Sequence, residues 1–307
     1  MWGKGVMVGE QKLSRWRASW LLVKESWRFL RADSELLLVP VIATIMMVLL
    51  FGILMVTLLV TGMIDSLQND SALAVQGTVF IFGSYLITAF VVALSRAMVV
   101  HTVAKRAANI DATLGQSLWV ALRHAPALFL WALISATVGM VLRTITERFD
   151  RLGRFITAFL GAAWGVLTYF VVPAIVLDNK PALKAVTYSG EVFKKTWGES
   201  LITNISLGLV FFVLHLVAAI LFLGTFMISA KVAMPVIFIL AGVLYVIFLF
   251  GAIAVQQVLE SIIVTLLYVY ATTEAPPANF NSELLAAIVA RTGKTVDGSV
   301  LPVATTV

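Results

Sequence analysis

The chain contains no cysteine. Disulfides, thiol nucleophiles, iron–sulfur clusters and thiolate metal sites are therefore excluded. Histidine is nearly as scarce: His101, His124 and His215 lie far apart, and none belongs to an HExxH or similar ligand spacing. Charge is scarce too, at 12% of the 307 residues, against about 25% in soluble domains. Also missing are a glycine-rich loop ending in Lys-Ser/Thr, a GxSxG elbow and a Ser/His/Asp set on plausible loops. Serine and histidine both occur in apolar stretches, but no motif surrounds either. The expectation is of no enzymatic activity, no metal and no cofactor.

What fills the chain is apolar. Hydrophobic residues make up 61% and the mean hydropathy is +1.00. One soluble core of this size cannot hide such a surplus, because its surface needs polar cover. Runs with few or no charges, such as residues 36–63, point to the bilayer as solvent. The expected fold class is all-α: a polytopic transmembrane helix bundle of about six spans, with three amphipathic helices on the cytoplasmic side. The net charge is +6, but the basic residues flank apolar spans. They read as topology signals and contacts to anionic lipid, so membrane lipid is an expected partner and nucleic acid is not. The first apolar run begins after about 35 residues and is about 25 long, which suits an uncleaved signal anchor better than a signal peptide.

The chain divides into a cytoplasmic N-terminal segment (1–34), a membrane domain (35–273) and a partly disordered cytoplasmic tail (274–307). In residues 13–31, Trp16, Trp20, Val23, Trp27 and Leu30 form one stripe at 100° per residue, with Arg15, Arg17, Lys24 and Arg28 off it. Such a helix lies on the membrane or packs on other segments of the protein. Asp33 and Ser34 supply N-cap chemistry for span 1, residues 35–61. A polar link, 65–71, leads to span 2, 73–100. The capping box Thr113-x-x-Gln116 opens a second amphipathic helix, on which Leu114, Leu118, Ala121 and Ala125 share a face. Pro126 marks the break into span 3, 127–142, and a polar hairpin, 143–154, leads to span 4, 155–177.

The third amphipathic helix starts at Asn179 and Pro181. Ala182, Val186, Ser189, Phe193 and Trp197 align on one side and Lys184, Glu191, Lys194 and Lys195 on the other, with Gly198 as its C-cap. Spans 5 (200–226) and 6 (232–259) follow. Apolar character continues to Tyr270, so span 6 is expected to project beyond the bilayer. Each amphipathic helix thus precedes a pair of spans, a pattern suggesting three repeated units. Trp16, Trp20, Trp27, Phe193, Trp197, Lys184, Lys194 and Lys195 are the candidate membrane-interface residues.

Seven Lys/Arg precede residue 32, and the links 101–125 and 178–199 hold three and four. The positive-inside rule therefore puts both termini in the cytoplasm. The hairpin 143–154 disagrees, with four arginines, although Glu147 can pair with Arg143 or Arg151 at i±4. Spans 3 and 4 either cross or form a re-entrant pair.

The stretch Trp131-Ala-Leu-Ile-Ser-Ala-Thr-Val-Gly-Met-Val-Leu-Arg143 is followed by Glu147-Arg148, Gly153-Arg154, Ala163-Trp164 and Phe170-Val-Val-Pro173. Farther on stand Lys195-Thr-Trp-Gly-Glu199, Tyr270-Ala-Thr-Thr, Pro277 and Phe280. Together these resemble a prokaryotic family of integral membrane proteins catalogued as a domain of unknown function (number 6159). The resemblance covers nearly the whole chain and is densest over 127–210. It implies a bacterial or archaeal inner-membrane protein of this span count, and it carries no ligand sites with it.

Ionisable groups within spans are costly and default to functional hypotheses. Arg96, in the last turns of span 2, and Glu260, after Gln256 and Gln257 in span 6, fall at similar depth. They form a candidate intramembrane pair, either a helix clasp or a proton or ion relay. His215 and Asn204 in span 5 are candidate helix–helix hydrogen-bond partners. Gly161-x-x-x-Gly165 has a close-packing spacing. The leading functional expectation is a membrane scaffold or accessory protein whose basic amphipathic helices contact anionic lipid, a protein partner or a second copy. The alternative is a subunit of a small-molecule or ion transporter or channel.

Overall fold

The computed structural model describes residues 15–60, 70–232 and 235–273. The 274–307 tail and most of the 65–71 link lie outside them. So do the side chains of Trp16, Trp20, Lys195, Trp197 and Asn204.

The described chain is helical. Helix α1 (Arg15–Ala32) leads through a 3-10 turn (Ser34–Leu37) into α2 (Leu38–Val60), and α3 spans Asp70–Ala107. Next come α4 (Leu114–Arg123), α5 (Ala125–Arg148), α6 (Asp150–Leu167) and α7 (Val171–Leu177). Two long helices, α8 (Ala182–Val232) and α9 (Pro235–Thr273), complete the bundle. Among the described residues, six segments are long and apolar enough to cross a membrane: Ser34–Thr57, Thr78–Ala107, Ala125–Arg148, Leu152–Leu177, Leu207–Ser229 and Phe238–Thr273.

Local chemistry explains most boundaries. Thr113 Oγ1 accepts from the Gln116 N–H at 3.3 Å while Gln116 Oε1 accepts from the Thr113 N–H at 3.2 Å, so the expected capping box opens α4. Pro126 then falls in the first turn of α5, where its missing N–H costs nothing. Asn179, one of two non-glycine residues with positive φ among those described (51°), turns the chain between α7 and α8.

Four boundaries differ from the sequence reading. Gly198 does not cap a helix: α8 continues through it for 51 residues, about 76 Å at 1.5 Å per residue. The third amphipathic helix and span 5 are one rod. Span 4, expected to be continuous, breaks at residues 168–170. Pro173 has no N–H to donate to the carbonyl of Tyr169, and its ring crowds that carbonyl. The Phe170 N–H donates instead to Ser189 Oγ at 2.9 Å. The 143–154 hairpin is almost entirely helical, turning at Phe149 alone. A Cβ on Gly153 would stand 2.6 Å from the Ile145 carbonyl oxygen, so the tight turn requires glycine there. Lastly, Asp33 makes no side-chain cap; it forms an ion pair with Arg106.

The buried core is gathered at one end of the bundle, where α3, α7 and α9 finish and α5 and α8 begin. Leu36, Val99, Leu128, Ile175, Ile262 and Tyr268 are all at most 2% exposed there. Helix α1 packs on α8 and α9, with Ser26 and Leu30 buried and Trp27 39% exposed. The face of α8 formed by Ala182, Ala185, Ser189 and Phe193 is likewise buried against the bundle. Elsewhere the helices present apolar side chains outward: Val48 and Ile53 on α2, Phe155 and Phe159 on α6, Leu221 on α8 and Leu244 on α9. Continuous exposed apolar surface of this extent needs a bilayer or partner to cover it.

Candidate functional site

The break between α6 and α7 opens a cavity of about 450 Å³ just inside the packed end. Its floor is the break itself, Thr168 and Tyr169, with Val172 and Pro173 of α7. Trp131 of α5 and Phe193 of α8 wall it, and Gly165 leaves room in it. A Cβ on Gly165 would meet nothing within 4 Å. The Gly161-x-x-x-Gly165 spacing therefore does not bring two backbones together. Gly161 faces the Leu142 side chain and Gly165 faces open space.

Arg96 of α3 and Glu260 of α9 both line this cavity, with Arg96 Nη2 3.6 Å from Glu260 Oε2. That distance makes an ion pair but exceeds hydrogen-bond range. Glu260 Oε1 accepts a 3.0 Å bond from the Gln256 amide on the same helix. The Arg96 side chain is 44% exposed and that of Glu260 29%. The site is thus an amphipathic pocket: largely apolar and aromatic walls, with Thr168, Tyr169 and Ser261 among them, and one adjacent pair of opposite charges.

Other predicted residues fall elsewhere. His215 makes no hydrogen bond to a neighbouring helix among the described residues: its Nδ1 lies 2.6 Å from the Phe211 carbonyl oxygen one turn back. Its Nε2 is buried with no hydrogen-bond partner among the described residues. His215 does not line the cavity. Phe193 packs against the rings of Tyr169 and Phe170 at 5.8 and 6.3 Å, so it is a cavity wall and not a membrane-interface contact. Trp27 is 39% exposed and carries Arg31 over its ring at 5.3 Å. Lys184 and Lys194 are exposed.

Above the cavity lies a polar layer that sequence patterns did not reveal. Arg106 joins Asp33, approaches Glu35 at 3.7 Å and donates to the Ala112 carbonyl oxygen at 3.2 Å. Ser117 Oγ lies 2.7 Å from Thr102 Oγ1 and 3.0 Å from His101 Nδ1. His124 Nε2 lies 2.8 Å from Asn179 Oδ1. The Tyr268 hydroxyl donates to Asp178 Oδ2 at 2.8 Å, and Lys180 Nζ sits 4.0 Å over the Tyr188 ring. Burial, and then the Asp178 carboxylate, push the Tyr188 phenol above its ordinary pKa. These contacts tie α1, α3, α4, α7, α8 and α9 into one cap. Among the described residues no three His, Asp or Glu side chains could hold a metal ion.

The architecture is that of a polytopic helix bundle with six membrane-length apolar segments among the described residues. The chain belongs to the Family of unknown function (DUF6159), which matches residues 75–277. That span takes in the cavity and nearly all of the polar layer. No curated protein matches the chain.

Proposed function

We propose that the chain is a multi-pass protein of a prokaryotic cytoplasmic membrane, with both termini inside, acting as a scaffold or accessory protein. One observation carries this reading. Leu30 of α1, Ala121 of α4 and Ala182, Ala185, Ser189 and Phe193 of α8 are buried against the bundle, while basic side chains of the same helices stand exposed around one end. Arg31, Arg123, Lys184 and Lys194 are exposed there. A rigid cap fringed with basic side chains suits contact with anionic headgroups or an acidic protein surface. Attraction of this kind is worth about 1 kcal/mol per Lys or Arg near an anionic bilayer and is screened by salt.

The test uses the full chain in bilayers containing spin-labelled phosphatidylglycerol. The wild type should immobilise more of that lipid than of spin-labelled phosphatidylcholine, and less as salt rises. Replacing Lys184, Lys194 and Lys195 by glutamine should reduce the preference. An unchanged preference would remove the electrostatic part of the reading. The cavity beside the α6–α7 break favours a second reading, a transporter subunit, because helix breaks facing a cavity are where transporters hold substrates. Substrate-dependent flux in proteoliposomes would support that alternative.

A further inference from the structure

We propose that the Arg96–Glu260 cavity is a binding site for a zwitterion with a phosphate and a primary ammonium group, presented as the headgroup of an ethanolamine phospholipid. The proposal is independent of the scaffold reading. It starts from the incomplete pairing of the two charges. A guanidinium has five N–H donors; among the described residues Glu260 is the one ionic contact of Arg96, and it lies beyond hydrogen-bond range. Glu260 spends one oxygen on Gln256 and keeps acceptor capacity at the other. A phosphate satisfies the donors of Arg96 bidentately. An ammonium within the same small headgroup satisfies Glu260.

Depth favours a lipid. Arg96 lies nine residues before Lys105 on α3, about 13 Å along the helix axis. Lys105 is exposed at the capped end, so Arg96 stands where headgroups give way to hydrocarbon. The cavity volume falls within the range of small-ligand sites, about 300–1,000 Å³. Apart from Thr168, Tyr169 and Ser261 its remaining lining is apolar, and Val166 at its edge continues onto the exposed apolar surface of α6 with Leu160 and Leu167. Acyl chains have a dry path out beside the headgroup. Trp131, stacked on Trp164 at 5.9 Å, offers a flat wall to the glycerol region.

The test is to reconstitute the full chain in nanodiscs of equal parts phosphatidylethanolamine, phosphatidylcholine and phosphatidylglycerol, and to identify the lipid retained after stepwise delipidation. Phosphatidylethanolamine should be enriched about tenfold over phosphatidylcholine, which has no N–H to donate to Glu260. Arg96→Gln and Glu260→Gln should bring the two lipids to parity. Gly165→Leu fills the open space without touching either charge and should do the same, so the proposal stays testable if a charge variant fails to fold. Equal retention by the wild type, or full preference in Gly165→Leu, would overturn it. Soluble glycerophosphoethanolamine should compete weakly; competition as strong as the lipid's own would overturn the lipid assignment in favour of a soluble zwitterion.

Discussion

The Tyr268 hydroxyl of α9 donates a 2.8 Å hydrogen bond to Asp178 Oδ2, at the end of α7, across ninety residues of chain. The Tyr268 ring is 1% exposed and packs 5.8 Å from Phe170, while Asp178 is exposed. One side chain thus fixes the end of α9 to the segment that follows the α6–α7 break. Tyr268→Phe keeps the ring packing and removes only the bond. It should cost about 1 kcal/mol, read as a small fall in thermal midpoint in detergent. Tyr268→Ala removes the buried ring as well and should cost about 3–5 kcal/mol. Equal effects of the two variants would contradict the packing assigned to the ring.

Arg106 and Asp33 hold the turn between α1 and α2 against the end of α3. Both are mostly withdrawn from solvent, at 23% and 7% side-chain exposure. Arg106→Gln leaves the buried Asp33 carboxylate without this counterion, at a cost of about 3 kcal/mol, whereas Asp33→Asn leaves Arg106 with Glu35 at 3.7 Å and should cost less. Asp33→Asn and Arg106→Gln should each lower the unfolding midpoint. The double variant should lose less than the sum of the two, as a thermodynamic cycle would read. Strict additivity would mean the pair is not coupled.

Ser189→Ala tests the α6–α7 break. The Phe170 N–H donates to Ser189 Oγ, and both residues are fully buried. The alanine variant leaves that donor unpaired, at a cost of about 1–3 kcal/mol. Hydrogen exchange should rise at Phe170 and its neighbours while remaining unchanged in α2. Protection that stays the same at Phe170 would show that another acceptor serves it.

Two glycines on the same helix should behave in opposite ways. Gly153→Ala sets a methyl group against the Ile145 carbonyl and the Phe149 Cβ, and overpacking of this kind costs about 1–3 kcal/mol. Gly165→Ala meets open space and gains helix propensity of about 1 kcal/mol. Thermal unfolding of the pair should separate, with Gly153→Ala lower and Gly165→Ala unchanged or higher than the wild type.

Local chemistry in this chain was legible where it acts within a few residues. The capping box at Thr113 and Gln116, Pro126 in the first turn of α5, and the exposed Arg143–Glu147 pair at 2.6 Å all follow from near-neighbour spacing. The buried face of α8 was legible as a stripe, although the stripe does not say whether lipid or protein covers it. Long-range partners were not legible: His124 with Asn179, Asp178 with Tyr268 and Arg106 with Asp33 lie far apart in sequence, and only tertiary packing brings them together. Arg96 and Glu260 could be matched by depth because few charges compete for a partner inside apolar helices. The α6–α7 break had a local signal in Pro173, but the continuous apolar run around it reads as one span. Gly198 carried the opposite signal: a glycine suited to end a helix is overridden as α8 runs on into its membrane-length segment.

The most direct measurement concerns sidedness. Because the chain lacks cysteine, single cysteines can be placed at the α5–α6 turn (Phe149→Cys) and on the charged face of α8 (Lys184→Cys). Each variant is then labelled with a membrane-impermeant maleimide in intact cells. Phe149 is 56% exposed and Lys184 is exposed, so both sites should react when reached. Six crossings with a cytoplasmic cap require Phe149→Cys to label from outside and Lys184→Cys to label only after permeabilisation. Labelling of both positions from the same side would contradict that arrangement and make α5 to α7 a re-entrant pair.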